Sequence, residues 1–350
     1  MPRNRSSEYT YRPAWWVRGG HAQTLWGKFF RRRTTLPLRV ERWDTPDGDF
    51  IDLYRLDAPE ASIGAPHLFI LHGLEGTIRS HYVSGFFAEA HRRGWRADLL
   101  IFRGCGSELN RARRFYHSGE TSDAAFVLDG IMAEFPASPV LLTGVSLGGN
   151  VLLKLLGEWG GHAPPQVKSA AAISVPFDLE RGARHLSHGF SRIYDRHFLK
   201  TLRAKARRKL ERFPDLFDPS ALERARTIYD FDDAVTAPVH GFASAHDYYS
   251  RSSALSWLDR VRIDTLLLSA VDDPFLPPAV LEDVRTVARP NPTLHLEFTA
   301  HGGHVGFVSG SWPWRPFYYA EWRACEFLAA NLDAAGARRA HGAPVSHDGA

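Results

Sequence analysis

Short apolar runs alternate with helical stretches from about residue 65 onward, and this alternation constrains the fold of the 350-residue chain more than any other feature. Six runs have the length and composition of buried strands: HLFILHG (67–73), ADLLIF (97–102), VLLTGV (140–145), AAAISV (170–175), DTLLLSA (264–270) and TLHLEF (293–298). Between them, residues 84–94 and 123–135 carry apolar side chains at helical spacing. The pattern predicts an α/β fold with a mostly parallel central sheet and helices on both faces.

The alternation stops between about residues 177 and 258, in a stretch that is charged and poor in apolar runs. Within it, RHFLKTLRAKARRKLERF (196–213) has apolar residues spaced to form one stripe on a helix. We therefore predict a helical cap inserted between two strands of a domain that covers residues 61–335. Residues 1–60 are predicted to form an aromatic and arginine-rich N-terminal arm. Residues 336–350, rich in Ala, Gly and Arg, are predicted to be disordered.

Charge and cysteine content exclude several classes of function. The net charge of +4 is too small to indicate nucleic-acid binding, and the aromatic-plus-basic patterns of RNA-binding modules are absent. Cys105 and Cys325 are far apart in the chain, which fits neither a metal site nor a disulfide framework and favours the reducing cytoplasm. The N-terminus lacks the apolar core of a signal peptide, and no run approaches about eighteen apolar residues. We therefore expect a cytoplasmic protein.

One pentapeptide, Gly144-Val145-Ser146-Leu147-Gly148, has the G-x-S-x-G pattern of a serine nucleophile. It follows a predicted strand and precedes the helical pattern NVLLKLLGEW, which is the strand–turn–helix setting of a nucleophile elbow. The two glycines matter because side chains would collide in so tight a turn. A serine that only capped the helix would need neither glycine. We therefore predict that Ser146 is a nucleophile.

A serine hydroxyl needs a histidine base and a carboxylate that orients it, and in sheets of this kind the carboxylate precedes the histidine along the chain. Asp272 and Asp273 follow one predicted strand, and His301 and His304 follow the next. The ends of strands are where ligands bind in such sheets. The carboxylate and the base thus each have two candidates, in the right order after the serine.

We favour Asp273, which lies four residues before Pro277, over Asp272, which is nearer the strand end and suited to capping. We favour His304 over His301 because the two glycines before His304 free the loop to turn the imidazole toward the serine. The spacing of the two histidines would also suit a metal site. No carboxylate cluster accompanies them, however, so no metal or organic cofactor is expected.

An acyl-transfer enzyme must also stabilise an oxyanion, usually with backbone N–H groups. Leu147, directly after the serine, is expected to supply one of them. The second is expected from HGLEG (72–76), where glycines allow the backbone to approach the substrate and Leu74 offers its N–H. A plain glycine turn is the alternative interpretation of this segment. His72 is interpreted as structural rather than as a base.

Taken together, these segments resemble the YheT-like branch of the α/β-hydrolase superfamily over about residues 13–330. Further matching segments are GGHAQTLW (19–26), IFRGCG (101–106), YHSGETSD (116–123) and FDDAVTAPVHGF (231–242). The resemblance implies a triad of Ser146, Asp273 and His304 and the hydrolysis of carboxylic esters. It also implies that the aromatic N-terminal segment packs on the hydrolase core.

The predicted function is that of a serine esterase, which cleaves esters with short to medium acyl chains, or lipid-like esters, through an acyl-enzyme on Ser146. Transfer of the acyl group to an alcohol is the near alternative, although a His-x4-Asp acyltransferase signature is absent. The third interpretation is that the protein is a non-catalytic lipid- or protein-binding member of the fold. The ordered triad argues against it, since a binding module has no use for these three residues.

The basic segment within the cap raises the question of a membrane partner. Residues 196–212 hold eight lysines and arginines against one acid, Glu211. A basic amphipathic helix can lie on an anionic lipid surface, although such helices more often pack their stripe on the core and leave their charges in water. Residues 29–33, Phe-Phe-Arg-Arg-Arg, form a second patch of this kind. The expected partner is therefore an ester substrate and no nucleic acid. For the basic cap helix we favour packing on the core with the charges in water, and contact with a membrane surface is the alternative.

Overall fold

The computed structural model describes residues 10–32, 34, 36–57 and 63–341, with side chains to residue 332. Its main sheet has eight strands: β1 Leu38–Asp44, β2 Phe50–Leu56, β3 His67–Leu71, β4 Arg96–Ile101, β5 Val140–Val145, β6 Val167–Ile173, β7 Thr265–Ala270 and β8 Leu294–Thr299. They lie in the order β1-β2-β4-β3-β5-β6-β7-β8. β2 is antiparallel to both β1 and β4, and every other neighbouring pair is parallel. A short second sheet joins β9 Val308–Ser309 to β10 Phe317–Tyr318.

In the described part of the chain, twelve α-helices accompany the strands: α1 Gly20–Phe30, α2 Val83–Arg92, α3 Ser122–Glu134, α4 Leu147–Trp159, α5 Leu179–Leu186, α6 Arg192–Arg212, α7 Pro219–Arg224, α8 Ile228–Phe231, α9 Ala237–His240, α10 Ala245–Ser252, α11 Pro278–Ala288 and α12 Tyr319–His341. Short 3₁₀ segments cover Gly160–His162, Gly189–Ser191 and Ala254–Arg260, and one π-helical turn covers Asp232–Thr236. No helix in the described ranges has the length and apolarity needed to cross a bilayer.

The central strands are buried along their whole length. All residues of β3, β5 and β7 are inaccessible to solvent, because helices such as α4 and α12 pack on the sheet. A strand covered on both faces needs a continuous apolar run rather than an alternating one. The sequences of these strands are continuous apolar runs of this kind. The predicted mostly parallel α/β sheet is confirmed, and the six predicted strands are β3 to β8.

The insertion between β6 and β7 contains α5 to α10. Its longest helix, α6, turns its apolar stripe toward a small core of its own, in which Leu199 and Ala206 pack with Leu222, Phe231 and Val235. The insertion is therefore a helical subdomain with its own apolar centre, and it falls within the boundaries predicted for the cap.

The predicted N-terminal arm over residues 1–60 needs correction. Residues 38–56 form β1 and β2, an antiparallel hairpin that belongs to the main sheet. β1 is an edge strand whose residues are mostly exposed, and it is rich in charged side chains, so it lacks the apolar run that marked the other strands. The boundary predicted at residue 336 also falls inside a helix, since α12 continues to His341. Residues 342–350 of that predicted tail lie outside the described residues.

Candidate active site

Ser146 occupies the turn between β5 and α4 in a strained backbone conformation, with φ 54° and ψ −122°. Although it precedes the helix, its side chain caps no backbone N–H group. A Cβ atom on Gly144 would lie 2.4 Å from the carbonyl oxygen of Gly148, and one on Gly148 would lie 2.4 Å from that of Leu71. Both glycines are therefore required for this turn, which holds the serine side chain above the carboxyl end of the sheet.

The three residues that the sequence analysis favoured lie within hydrogen-bonding distance of one another. The Ser146 hydroxyl is 2.9 Å from Nε2 of His304, and Nδ1 of His304 is 2.9 Å from Oδ2 of Asp273. His304 and Asp273 are both buried. With Nδ1–H donating to the carboxylate, Nε2 is left to accept the serine proton, which is the arrangement of a Ser-His-Asp triad.

The rival carboxylate and histidine form a separate pair. Nδ1 of His301 lies 3.2 Å from Oδ2 of Asp272, and the His301 side chain is 60% exposed. The other Asp272 oxygen accepts the N–H of Gly303 at 2.8 Å. Asp272 thus holds the loop that carries His304, while neither rival residue contacts Ser146.

Three contacts that the sequence analysis did not identify fix His304 in place. The ring of Phe275 stacks on the imidazole, with the ring centroids 3.9 Å apart and the planes 12° from parallel. The hydroxyl of Thr24, on α1, accepts the backbone N–H of His304 at 2.8 Å. The next N–H, that of Val305, donates to the hydroxyl of Ser174 at 3.0 Å. Phe275 lies two residues after Asp273 in the sequence, but no local pattern indicated Thr24 or Ser174.

Backbone strain is concentrated around this site. Five non-glycine residues in the described part of the chain have positive φ angles: Glu75, Ser146, Ser174, Val305 and Phe307. They lie in the loops that follow β3, β5, β6 and β8, all at the carboxyl end of the sheet. Conformations of this kind cost about 1–3 kcal/mol each and persist where the surrounding structure enforces them, which is typical of functional sites.

The loop after β3 approaches the serine closely enough to serve as an oxyanion hole. A Cβ on Gly73 would lie 3.1 Å from the Cβ of Ser146. In the described part of the chain, neither the N–H of Leu74 nor that of Leu147 has a hydrogen-bond acceptor. The N–H groups on either side of Leu74 are occupied, because Gly73 donates to the Tyr82 hydroxyl at 2.8 Å and Glu75 to another tyrosine hydroxyl. The predicted donors are thus free beside the serine.

His72 has a structural role, as its sequence context suggested. Its Nδ1–H donates to the carbonyl oxygen of Gly73 at 2.7 Å, and its Nε2 accepts the N–H of Phe102 at 3.2 Å. Complete burial lowers the pKa of His72 to about 4, because charging the ring would leave an ion without solvent. The neutral ring therefore supports the loop that carries Leu74.

A buried charge cluster joins this loop to the cap. Nζ of Lys205, on α6, lies 2.8 Å from a carboxylate oxygen of Glu75 and 3.5 Å from the sulfur of Cys105. The hydroxyl of Tyr116 donates to the same Glu75 oxygen at 3.0 Å. Burial raises the pKa of the Cys105 thiol to about 11, so the sulfur carries no charge at neutral pH. The cap therefore contacts the residue directly after Leu74 through an ion pair.

A cavity of about 120 Å³ opens beside Ser146 and His304. Its wall is mainly apolar, and the cap supplies Leu179, Ala183, Leu186, Phe198, Leu202, Ile228 and Phe231. One buried acid also lines it: Asp232 accepts hydrogen bonds from the hydroxyls of Thr236 at 2.5 Å and Tyr249 at 2.6 Å. Burial raises the pKa of Asp232 to about 6. The cavity thus offers a mainly apolar wall next to the nucleophile, with two acids in it, Asp232 and the Glu75 that pairs with Lys205.

Within the described ranges, no three side chains of His, Cys, Asp or Glu are grouped closely enough to hold a metal ion. The two histidines whose spacing raised the question of metal, His301 and His304, each face an aspartate of their own instead.

The fold and the elbow define the class of protein. The family model described as the alpha/beta hydrolase fold matches residues 66–311, and the chain belongs to the α/β-hydrolase family, in the branch that the sequence resemblance indicated. The chain is 40% identical over 316 residues to the Escherichia coli (strain K12) protein named "Putative esterase YheT", covering 90% of this chain and 91% of that protein.

More distant relatives carry related names. The chain is 30% identical over 315 residues to the human phospholipase ABHD3, a match that covers 88% of this chain and 76% of that protein. Among solved structures, the Pyrococcus furiosus esterase Pf2001 superposes with a TM-score of 0.55 at 14% identity, over 86% of this chain and 97% of that one. This last similarity shows the shared fold. The chain is a hydrolase of the α/β-hydrolase superfamily whose relatives are named esterases.

Proposed function

We propose that the protein is a serine hydrolase that cleaves carboxylic esters through an acyl-enzyme on Ser146. One observation carries the proposal: the relay from Ser146 through His304 to Asp273, with both hydrogen bonds at 2.9 Å, lies beside an apolar cavity. A serine, a neutral imidazole and a buried carboxylate in this order are the parts that nucleophilic acyl transfer requires.

In the first half of the reaction, Nε2 of His304 takes the hydroxyl proton as the Ser146 oxygen attacks the ester carbonyl. Asp273 accepts the Nδ1–H throughout, which fixes the tautomer and stabilises the imidazolium that forms. The N–H groups of Leu74 and Leu147 donate to the oxyanion of the tetrahedral intermediate. The imidazolium then gives its proton to the alcohol oxygen, the C–O bond breaks, and the acyl group remains on the serine.

In the second half, His304 takes a proton from a water molecule as the water attacks the acyl carbon. The same two N–H groups hold the second oxyanion. Collapse of that intermediate returns the proton to the Ser146 oxygen and releases the carboxylic acid. Each half uses the histidine first as a base and then as an acid.

The substrate class follows from the cavity wall. Side chains such as Leu186, Phe198 and Leu202 would surround an acyl chain and exclude water from the reacting carbonyl. We infer a preference for short to medium acyl chains, or for lipid-like esters, over polar acids. Two acids away from the triad line the wall. Glu75 is paired with Lys205, whereas Asp232 accepts hydrogen bonds from two hydroxyls, and its place there disfavours a negatively charged acyl end.

The test begins with covalent labelling by a fluorophosphonate, which reacts with an activated serine. The wild-type protein is expected to be labelled on Ser146, and Ser146→Ala is expected to lose both the label and about 10³-fold or more of its esterase rate. Ser250→Ala, at an exposed position on α10, serves as the matched control and should keep both. Labelling of another serine together with an active Ser146→Ala protein would overturn the proposal.

A series of nitrophenyl esters with acyl chains of increasing length tests the substrate class. The ratio kcat/KM is expected to rise from acetate to medium chains and to fall for long ones, because the cavity is apolar but limited in volume. A maximum for a charged dicarboxylic monoester would contradict this part of the proposal. Adding an acceptor alcohol to the same assay shows whether the acyl group passes to the alcohol instead of to water.

A further inference from the structure

Five large aromatic side chains are more than half exposed on two segments of the chain. Trp15, Phe29 and Phe30 precede β1, and their exposed fractions are 62%, 66% and 64%. Trp312 and Trp314 lie between β9 and β10 and are 52% and 72% exposed. Large apolar side chains exposed together, rather than singly, mark interaction sites on soluble folds.

The two segments form one surface. The rings of Trp312 and Trp314 stack 5.2 Å apart, and the indole N–H of Trp15 donates at 3.0 Å to the carbonyl of Ser311, the residue before Trp312. Further contacts continue from that loop to the end of α1: Trp16 Nε1 donates to the Gly310 carbonyl at 3.1 Å, the Trp16 ring meets Trp26 at 4.6 Å, and Trp26 meets Phe30 at 4.5 Å. We call the surface formed by seven side chains the aromatic surface: Trp15, Trp16, Trp26, Phe29, Phe30, Trp312 and Trp314.

The charge of this surface has one sign. Residues 10–32 and 299–320, the segments that carry it, contain no aspartate or glutamate. Their exposed charged side chains are all basic: Arg12, Arg18, Lys28, Arg32 and Arg315. Arg18 is held beside Trp15, because its Nε donates to the Trp15 carbonyl at 3.1 Å. Arg315 follows Trp314 directly, and its backbone N–H donates to the Trp312 carbonyl at 3.0 Å.

We propose that the aromatic surface docks the protein on an anionic lipid bilayer. Tryptophan rings favour the depth of the lipid headgroups, where one edge is apolar and the other wet, and arginine and lysine beside them are attracted to anionic headgroups. Single-stranded nucleic acid is also bound by aromatic rings beside cations, but the net charge of +4 is small for such a partner. The proposal goes beyond ester hydrolysis, because docking requires no catalysis and is measured without it.

The same segments hold the catalytic loop. The Gln23 side chain donates to the Val308 carbonyl at 3.2 Å and accepts the Val308 N–H at 2.7 Å, and Thr24 accepts the N–H of His304. Helix α1 therefore carries two of the docking side chains at its end and the support of the triad histidine in its middle. Docking through this helix places the active site in a fixed relation to the lipid surface.

The basic cap helix, the other candidate for membrane contact, has less free charge than its sequence suggested. Arg203 and Arg207 both pair with Glu223, and Lys205 pairs with Glu75. Lys209 is buried and donates to backbone carbonyls. Four cations of α6 are thus paired with acids or buried, which favours the aromatic surface as the site of lipid contact.

Co-sedimentation of the whole protein with vesicles tests the proposal. The vesicles are phosphatidylcholine alone, or phosphatidylcholine with about 30% phosphatidylserine. The wild-type protein is expected to bind the anionic vesicles, and Trp312→Ser with Trp314→Ser to bind them at least about tenfold more weakly. Val40→Ser with Ile63→Ser removes exposed apolar side chains elsewhere, 58% and 96% exposed, and is the matched control.

Charge reversal separates the two candidate surfaces. Arg18→Glu with Arg315→Glu is expected to weaken binding to anionic vesicles, whereas Arg208→Glu, exposed on the cap helix, is expected to leave it unchanged. The proposal is overturned if the wild-type protein binds no vesicles, or if only Arg208→Glu loses binding. It is also overturned if the tryptophan variant loses self-association in sedimentation velocity but binds vesicles like the wild type.

Discussion

The hydroxyl of Tyr116 bridges two groups of one residue, since it accepts the backbone N–H of Glu75 at 2.9 Å and donates to the Glu75 carboxylate at 3.0 Å. Glu75 follows Leu74 directly and has a positive φ of 56°. On the other side, the hydroxyl of Tyr82 accepts the N–H of Gly73. The peptide that presents the proposed oxyanion donor is thus fixed at both ends by tyrosine hydroxyls.

Replacing Tyr116 by phenylalanine tests this positioning role. Tyr116→Phe is expected to lower kcat about tenfold with little change in KM, because a misplaced oxyanion donor weakens only the transition state. The kinetics of nitrophenyl ester hydrolysis supply both constants. Tyr54→Phe, on β2 and away from the site, should match the wild type. An increase in KM at constant kcat would show that Tyr116 serves substrate binding instead.

Matched substitutions distinguish the triad from its rival pair. His304→Ala and Asp273→Asn are expected to lower kcat by about 10³-fold or more, since the first removes the base and the second removes the carboxylate that fixes the tautomer of that base. His301→Ala and Asp272→Asn should retain most activity, because their contacts reach only the supporting loop. The same ester assay compares all four proteins. A larger loss in either rival would move the catalytic role to that residue.

The elbow predicts a strong dependence on glycine at one position. Gly148→Ala would place a Cβ 2.4 Å from the Leu71 carbonyl oxygen, and backbone atoms there cannot move aside without shifting β3. We expect the free energy of unfolding to fall by about 1–3 kcal/mol or more, measured by urea denaturation. Gly161→Ala is the control, because a Cβ there would meet no atom within 4 Å. Equal stability of the two variants would contradict the geometry of the turn.

Asp232 predicts a pH dependence of stability. Burial raises its pKa from 3.8 to about 6, so between these values the folded protein binds more protons at this site than the unfolded chain does. The contribution of protonated Asp232 to the free energy of unfolding is complete below about pH 4. It is lost as the pH rises through 6, and the free energy of unfolding then falls by up to about 3 kcal/mol.

Asp232→Asn should therefore remove this fall in the free energy of unfolding between pH 4 and 6, when denaturation is measured across that range and compared with the wild type. Asp259→Asn, at an exposed position, should leave the wild-type pH profile unchanged. A fall of the same size in Asp232→Asn would assign the pH dependence to other groups.

The parts of the site that could be predicted from sequence are those with a local signature. The elbow needs two glycines beside Ser146, and the acid and base each follow a strand closely, so short segments contain the information. Even the choice of Asp273 and His304 over their neighbours used only spacing and flanking residues. The strands of the sheet could also be predicted from a local signature, because strands buried on both faces are continuous apolar runs.

The other segments that matched the family have roles that depend on contacts with residues distant in sequence. Arg103, from IFRGCG, is buried in a bidentate pair with Asp123, from YHSGETSD, at 2.7 and 2.8 Å. The Asn150 amide, after the elbow, donates to the carbonyls of Ser118 and Ser252, more than 30 and 100 positions away. No periodicity or local spacing encodes such pairings, so these segments carried no chemical meaning before the fold was known.

The support of the catalytic loop spans almost the whole chain. Thr24 bonds to His304 across 280 positions, and Gln23 bonds to Val308 across 285. Synthesis proceeds from the N-terminus at about 5–20 residues per second, so α1 leaves the ribosome roughly 15–55 seconds before its partners exist. During that interval its aromatic side chains have no native surface to cover them, which is the state that chaperones recognise. The candidate active site therefore forms only when the segment from His304 to Val308, which follows β8, has been made.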